Sequence, residues 1–206
     1  MPLLKKSVIL VFALLAGVCL SGAMYSWTDG EGIKHYSNIA PPPQAGVKLL
    51  QEEKFTIPQG YLFEVVKVYD GDTLQVEGFG VKFKIRLQGI DSPELGRRGQ
   101  KSQPYGLQAK RELTRLVSQK KISLKQYGIG GYNRVLAEVF AGTRNVNLEM
   151  VRSGLAEVYQ GKLSPAFDSA AYFQAQERAK RAGKGMWLQG PAYKSPGQWR
   201  REHPLK

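Results

Sequence analysis

A closely spaced pair of acids, Asp70 and Asp72, flanks Gly71 between two segments that alternate in polarity. Carboxylates held this close together can bind a cation or orient a water molecule. Asp-Gly is also a frequent pair in the tight turns of β-rich proteins, and that structural role alone explains the spacing. Taken by itself, the pair therefore favours a turn over a functional site.

A second charged stretch, residues 85–94, is more informative. Arg86 lies between apolar neighbours in a segment that alternates as a half-buried strand does. Asp91 and Glu94 follow where that strand ends, and loops at strand ends are a usual place for binding groups. The stretch predicts that one arginine and two carboxylates meet at one edge of a β structure.

Arg134 is the third candidate. It follows the glycine-rich segment 128–131 and begins a further predicted strand. An exposed charge at a strand end is the simple alternative, and the position of Arg134 alone does not exclude it.

These residue types suit hydrolysis of a phosphodiester. A hard cation such as Ca²⁺ takes oxygen ligands, so two carboxylates and a backbone carbonyl are suitable. Two arginines can bind phosphate oxygens and stabilise the negative charge of the transition state. A carboxylate that does not bind the metal can take a proton from water.

The surrounding elements predict how these groups are positioned. Strands are predicted at residues 62–69, 73–77, 81–87, 121–126 and 134–140, and helices at 104–118, 146–153 and from Pro165 to near Gly183. Five strands with a helix between the third and fourth indicate a β-rich α+β fold, a five-stranded OB-fold barrel with about three helices. The last helix is predicted to bury one apolar face, formed by Phe167, Ala170, Ala171, Ala175 and Ala179.

The whole chain is strongly basic, with 30 Lys and Arg against 17 Asp and Glu and a net charge of +13. Such an excess favours a polyanionic partner, although an unselective solvated surface explains it as well. Cys19 is the only cysteine and there are two histidines, so zinc sites built from Cys or several His are excluded.

The N-terminal part divides into three predicted segments. Residues 1–23 have the charged, apolar and small-residue regions of a signal peptide, whose removal takes away Lys5 and Lys6 and leaves a charge of +11. A retained membrane anchor is the alternative, but the apolar run is short. Residues 24–45 predict a small β-hairpin domain and 46–60 a linker. A barrel domain at 61–188 and a basic, irregular tail at 189–206 follow.

Several motifs resemble the staphylococcal nuclease (thermonuclease) family in order and spacing. They are V-Y-D-G-D-T at 68–73, I-R-L-Q-G-I-D-S-P-E at 85–94 and N-R-V-L-A at 133–137, with weaker matches at 146–156 and 183–187. The resemblance covers residues 61–188. The W-T-D, G-I, H-Y-S-N and P-P pattern before them is similar to a short domain of uncharacterised function found in bacterial envelope proteins.

The resemblance implies one Ca²⁺ ion, held by the carboxylates of Asp72 and Asp91 and the carbonyl of Ser92. Glu94 is then the general base, while Arg86 and Arg134 bind the scissile phosphate. Less directly, it implies substrate contacts from Tyr132 and Tyr159, and a turn-forming role for Asp70 near the metal.

The implied enzyme is a phosphodiesterase that cuts DNA and RNA to 3′-phosphate ends. We expect it to be an exported monomer, periplasmic or secreted, that is not inserted in the membrane after signal cleavage. Two departures from the family pattern matter: serine replaces threonine at position 92, and the loop before Arg134 lacks the usual acid.

Two alternatives remain. One is a related domain that binds nucleic acid or a protein without cutting; the other is an envelope or interaction protein whose N-terminal segment dominates. The five charged residues at positions 72, 86, 91, 94 and 134 favour an enzyme, because non-cutting relatives typically lose them.

Overall fold

The computed structural model describes residues 25–28, 34–37, 56–58, 60–96 and 99–204. The predicted signal peptide lies outside the described residues, as does most of the predicted linker. Within the described part, no helix is long and apolar enough to cross a membrane.

A short hairpin lies near the N terminus. Strands β1 (Tyr25–Thr28) and β2 (Lys34–Ser37) pair antiparallel, with Tyr25 opposite Ser37 and Thr28 opposite Lys34. The two strands predicted there are therefore confirmed, while the limits of the small domain around them stay a prediction.

Five strands form the body of the main domain: β3 (Phe63–Val68), β4 (Thr73–Gly78), β5 (Val81–Leu87), β7 (Lys121–Gly130) and β8 (Arg134–Ala141). Neighbours pair in the order β5-β4-β3-β7-β8, and a parallel pairing of β5 with β8 closes the barrel. The two-residue strand β9 (Arg144–Asn145) pairs with β8 at the edge of this sheet, while β6 (Ile90–Asp91) and β10 (Glu157–Val158) pair with each other in a separate two-stranded sheet. This topology confirms the predicted OB-fold barrel.

The barrel core consists of alternate side chains from these strands, which are buried because the strand period of two directs them inward. Phe63, Leu74, Ile85 and Ile122 are fully buried. Burial of each such side chain contributes about 1.5–3 kcal/mol to the stability of the folded domain. The core therefore holds in place the strand ends that carry the charged groups.

Four α-helices occur among the described residues: α1 (Gly106–Val117), α2 (Val146–Arg152), α3 (Ala170–Arg181) and α4 (Pro196–Glu202). Helix α1 buries Ala109, Leu113, Leu116 and Val117 as its periodicity predicts. The chain before the barrel also contributes to the core, because Ile57 is buried and its N–H donates to Gln126 Oε1 at 3.0 Å.

Helix α3 differs from its prediction. It begins at Ala170 instead of Pro165, since residues 164–167 form a turn and Asp168 Oδ1 accepts from the Ala170 N–H at 2.9 Å. Phe167 is buried but lies before the helix, and Ala170 and Ala171 are exposed. The buried face is Tyr172, Ala175, Gln176 and Ala179, so the predicted face was wrong at its first three positions.

The predicted irregular tail was also wrong, because it contains α4. Ser195 Oγ caps this helix by accepting from the Gln198 N–H at 3.1 Å, and Pro196 occupies the first turn, where a missing N–H costs nothing. A 3₁₀ segment, Gly185–Ala192, connects α3 to this part of the chain.

Candidate active site

The turn that follows β3 is built around Asp72. Asp70 Oδ1 accepts from the Asp72 N–H at 3.1 Å, a hydrogen bond that stabilises the turn. The Asp72 carboxylate is buried and accepts from the Ser92 N–H at 2.8 Å and the Thr73 hydroxyl at 3.0 Å. A Cβ on Gly71 would lie 2.7 Å from Cβ of Ser92, so glycine allows the two loops to meet.

Arg86 joins the acids of the two loops. It lies on β5, opposite Thr73 of β4. Its side chain points away from the barrel core, because its strand neighbours Ile85 and Leu87 point into the core. The guanidinium forms a salt bridge with Asp72 and donates to Asp91 Oδ1 at 2.6 Å and to the Ile90 carbonyl at 3.3 Å. The buried carboxylates of Asp72 and Asp91 therefore share the guanidinium of Arg86 as a partner.

Asp91 lies in β6, which pairs with β10 so that Asp91 is opposite Glu157. The Asp91 side chain is only 4% exposed. Tyr193 donates its hydroxyl hydrogen to the buried Glu157. Burial, with the nearby negative charge of Asp91, raises the pKa of the Glu157 carboxyl despite this hydrogen bond.

Glu94 is fixed by its backbone. Gln103 Oε1 accepts from the Glu94 N–H at 3.0 Å, and the Gln103 N–H donates to the Glu94 carbonyl at 2.9 Å. The Glu94 side chain is 31% exposed, whereas those of Asp72 and Asp91 are 3% and 4% exposed. Of the three carboxylates, Glu94 is thus the one that solvent reaches.

Asn147, fully buried at the start of α2, connects the barrel to the site loop. Its Nδ2 donates to the carbonyls of Gln88 at 2.9 Å and Ala137 at 3.1 Å, and its Oδ1 accepts from the Val139 N–H at 3.0 Å. Because Gln88 is three residues before Asp91, this amide sets where the site loop leaves β5. Val146-Asn147 matched the family motif, but the spacing in sequence does not reveal this function.

Arg134 and the two candidate tyrosines lie around this edge. The pairing of β5 with β8 places Arg134 on the same sheet face as Arg86. Its Nε donates to the Gly131 carbonyl at 3.0 Å, and its guanidinium lies 5.6 Å from the ring centre of Tyr132. Tyr132 is 93% exposed, and the Tyr159 N–H donates to the Gly89 carbonyl at 3.0 Å beside the site loop.

Arg200 was missed by the sequence analysis. From α4 it donates to both oxygens of Asp91, at 3.0 and 2.7 Å, and to Glu94 Oε1 at 2.6 Å. The hydrogen bonds to Asp91 raise the pKa of this guanidinium, so it stays charged. The Ser195-Pro196 pair signals the helix, but no sequence signal identifies the acids that Arg200 binds.

The donor set suits a hard cation. No three His, Cys, Asp or Glu side chains in the described ranges form a metal cluster among themselves. The predicted set has only two carboxylates, those of Asp72 and Asp91, which are buried and both contact Arg86. Its third ligand is a backbone carbonyl, that of Ser92. All are oxygen donors, and the local excess of carboxylates over guanidinium groups favours a divalent ion.

Comparison with known proteins agrees with this geometry. Residues 84–189 match the family described as staphylococcal nuclease homologue, and residues 11–55 match a domain of unknown function (DUF4124). The chain belongs to the staphylococcal nuclease family and is a nuclease, so both predicted resemblances are confirmed.

Particular relatives carry similar names. The chain is 40% identical over 142 residues to an uncharacterized endonuclease of Haemophilus influenzae, covering 68% of this chain and 74% of the relative. It is 34% identical to the probable endonuclease LCL3 of Scheffersomyces stipitis, over 58% of this chain and 53% of the relative. The identity to the probable endonuclease LCL3 of Saccharomyces cerevisiae is 36%, over 57% of this chain and 45% of the relative. The chain spans about half the length of these yeast relatives.

Proposed function

We propose that this protein is an exported, Ca²⁺-dependent endonuclease that hydrolyses DNA and RNA to 3′-phosphate ends. The observation that carries the proposal is the meeting of Asp72, Asp91, Glu94 and Arg86 at one edge of a closed barrel. The family relationship and the relatives named endonucleases support the reaction class.

Asp72, Asp91 and the Ser92 carbonyl would hold the calcium ion, which when bound neutralises phosphate charge and polarises the scissile phosphodiester. Arg86 binds a non-bridging oxygen of the phosphate, as the two-pronged shape of a guanidinium favours. Arg134, on the same sheet face, supplies the second positive charge as the phosphorus becomes five-coordinate.

Glu94 takes the proton from the attacking water. Its side chain is the most exposed of the three carboxylates, and its backbone is fixed on both sides by Gln103, so water and a defined position are both available. The new bond joins the water oxygen to phosphorus. The bond from phosphorus to the 5′ oxygen breaks, the 5′ oxygen takes a proton from solvent and leaves as a hydroxyl, and the phosphate stays on the 3′ oxygen.

Export is proposed from the N-terminal pattern of residues 1–23, and the excess of positive charge suits a polyanionic substrate. We further propose that the mature protein acts as a monomer, since the candidate acids and arginines all come from one chain.

Cleavage of single-stranded DNA and RNA by the protein from Met24 onward tests the proposal, with Ca²⁺ or with a chelator. We expect cleavage with Ca²⁺ only, and products whose new 3′ ends become extendable by a polymerase after phosphatase treatment. Calcium-independent cleavage, or binding without cleavage, would contradict it.

Substitution of Glu94 by Gln should lower kcat by at least about 100-fold, because the proton acceptor is lost while the shape is kept. Glu149→Gln is the matched control, since Glu149 pairs with Arg152 on the surface of α2. Full activity in Glu94→Gln would exclude the general-base assignment.

A further inference from the structure

The C-terminal arm, defined as residues 194–204, crosses the candidate active site. It follows Tyr193, which is anchored because its hydroxyl donates to Glu157 and its ring packs against Trp187. Pro196 is the one buried residue of α4. The contacts that dock the arm are mainly polar: Gln103 Nε2 donates to the Lys194 carbonyl at 2.8 Å and Gln100 Nε2 to the Pro204 carbonyl at 3.0 Å. An element that buries so little apolar surface separates from a protein at low cost.

Arg200 places the arm's charge on the groups that the reaction needs. Its guanidinium takes up both oxygens of Asp91 and one of Glu94. A carboxylate that binds a divalent ion offers it the same lone pairs that a hydrogen bond from arginine uses. Arg200 and a bound cation therefore compete for Asp91.

Charge supports an exchange between the two. The carboxylates of Asp72, Asp91 and Glu94 face two guanidinium groups when Arg200 is docked. This cluster of five groups, counted without the neighbouring Glu157, then keeps one negative charge. If a divalent ion replaces Arg200, the cluster becomes neutral. The side chain of Arg200 is 43% exposed, so solvent can receive it when it leaves.

We propose that Arg200 is an internal competitor: the C-terminal arm occupies Asp91 and Glu94 in the resting protein and is displaced when cation and substrate bind. This inference rests on the proposed calcium-dependent nuclease activity. It assigns control of access to the site to the arm, which lies entirely beyond the family match at residues 84–189.

Calcium titration by calorimetry tests the competition directly in the full mature chain. We expect Arg200→Gln to bind Ca²⁺ at least about tenfold more tightly than the wild type, and Arg200→Lys to lie between them, because lysine keeps the charge but loses the two-pronged contact. Arg201→Gln is the matched control: it removes the same charge from the neighbouring, exposed position of α4. Unchanged affinity in Arg200→Gln, or an equal gain in Arg201→Gln, would overturn the proposal.

Hydrogen exchange of the wild type provides a test that needs no variant. Saturating Ca²⁺ should speed exchange of the amides at 198–203, while those of α2 stay protected. An arm that remains protected with Ca²⁺ bound would overturn the displacement.

Cleavage assays separate this proposal from the one on which it rests. If neither the wild type nor Arg200→Gln binds Ca²⁺ or cleaves, the calcium nuclease assignment falls and the competitor falls with it. If the wild type cleaves with Ca²⁺ while Arg200→Gln has unchanged calcium affinity and a lower kcat, Arg200 acts on substrate and only the competitor is wrong.

Discussion

The candidate active site and the network around Glu138 both contain buried carboxylates, but the partners of these carboxylates differ. In that network a single carboxylate accepts from the Tyr127 hydroxyl at 2.5 Å, the Tyr172 hydroxyl at 2.6 Å and Asn145 Nδ2 at 2.8 Å. All three of these hydrogen-bond donors are neutral and come from strands or helices of the main domain, while the ammonium of Lys125 lies farther away, at 3.6 Å from Glu138 Oε2.

The active site is built differently. Its three carboxylates form ion pairs with two arginines, Arg86 and Arg200, and Arg200 belongs to the lightly packed C-terminal arm. A carboxylate that is held mainly by neutral donors serves stability, whereas acids balanced by a half-exposed guanidinium can exchange that charge for another cation.

The largest effect is expected from Arg86→Met, which leaves Asp72 and Asp91 without their shared partner. Asp91 keeps its ion pair with Arg200, but Asp72 becomes an uncompensated buried charge. Such a charge costs about 3–5 kcal/mol, so we expect a loss of this order in the free energy of unfolding, measured by urea denaturation. Saturating Ca²⁺ should restore part of that loss, since the ion replaces the missing charge. A variant as stable as the wild type without Ca²⁺ would show that Arg86 does not hold the acids together.

Glu138→Gln should lower the free energy of unfolding by about 1–3 kcal/mol, because one oxygen acceptor becomes an NH₂ group that faces donors. Cleavage by the folded variant should be unchanged, in contrast to Glu94→Gln. Loss of activity in folded Glu138→Gln would remove the distinction between the two groups.

The same network predicts a pH dependence. Burial raises the pKa of Glu138, but the hydrogen bonds from Tyr127, Tyr172 and Asn145 outweigh it and hold the pKa below its ordinary value. Its folded pKa is thus below the unfolded value of about 4.3, so its stabilisation is present above about pH 4.3 and is lost as pH falls through the folded pKa. The difference in unfolding free energy between wild type and Glu138→Gln should shrink on acidification; a constant difference would argue against ionised Glu138.

The smallest effect is expected at Tyr132, which is exposed in the loop before Arg134. Tyr132→Ala should leave stability within about 0.5 kcal/mol of the wild type, as for most surface substitutions. If the ring stacks on a base, KM for single-stranded DNA should rise roughly fivefold, the equivalent of about 1 kcal/mol. Tyr132→Phe keeps the stacking surface and should behave as the wild type; equal losses in both would point to the hydroxyl instead.

The sequence predicts best what is local. The turn at Asp70 to Asp72, the strand of Arg86 and the loop to Glu94 are short-range patterns, and alternation alone indicates which side chains leave the barrel. Helix α3 was placed too early because Pro165 is compatible with a first helical turn, while the burial of Phe167 beside Gly89 is a tertiary contact with no local signal.

The same reason explains why Arg200 was missed. It is one of three consecutive charged residues in a basic tail, and the acids that it binds are more than a hundred positions earlier. Spacing along the chain cannot rank Arg200 above Arg201. Their difference arises only when the arm folds back across the site loop.

The buried amide of Asn147 has a consequence for when the enzyme becomes competent. A growing chain that ends before α2 already contains the acids of both loops and Arg134, but lacks the group that joins Gln88 to β8. The site loop is then unsupported, and native geometry awaits the packing of segments made later. If the proposed export holds, a chain kept unfolded for passage through a membrane is in the same condition, and it would be harmless to nucleic acids in the compartment where it is synthesised.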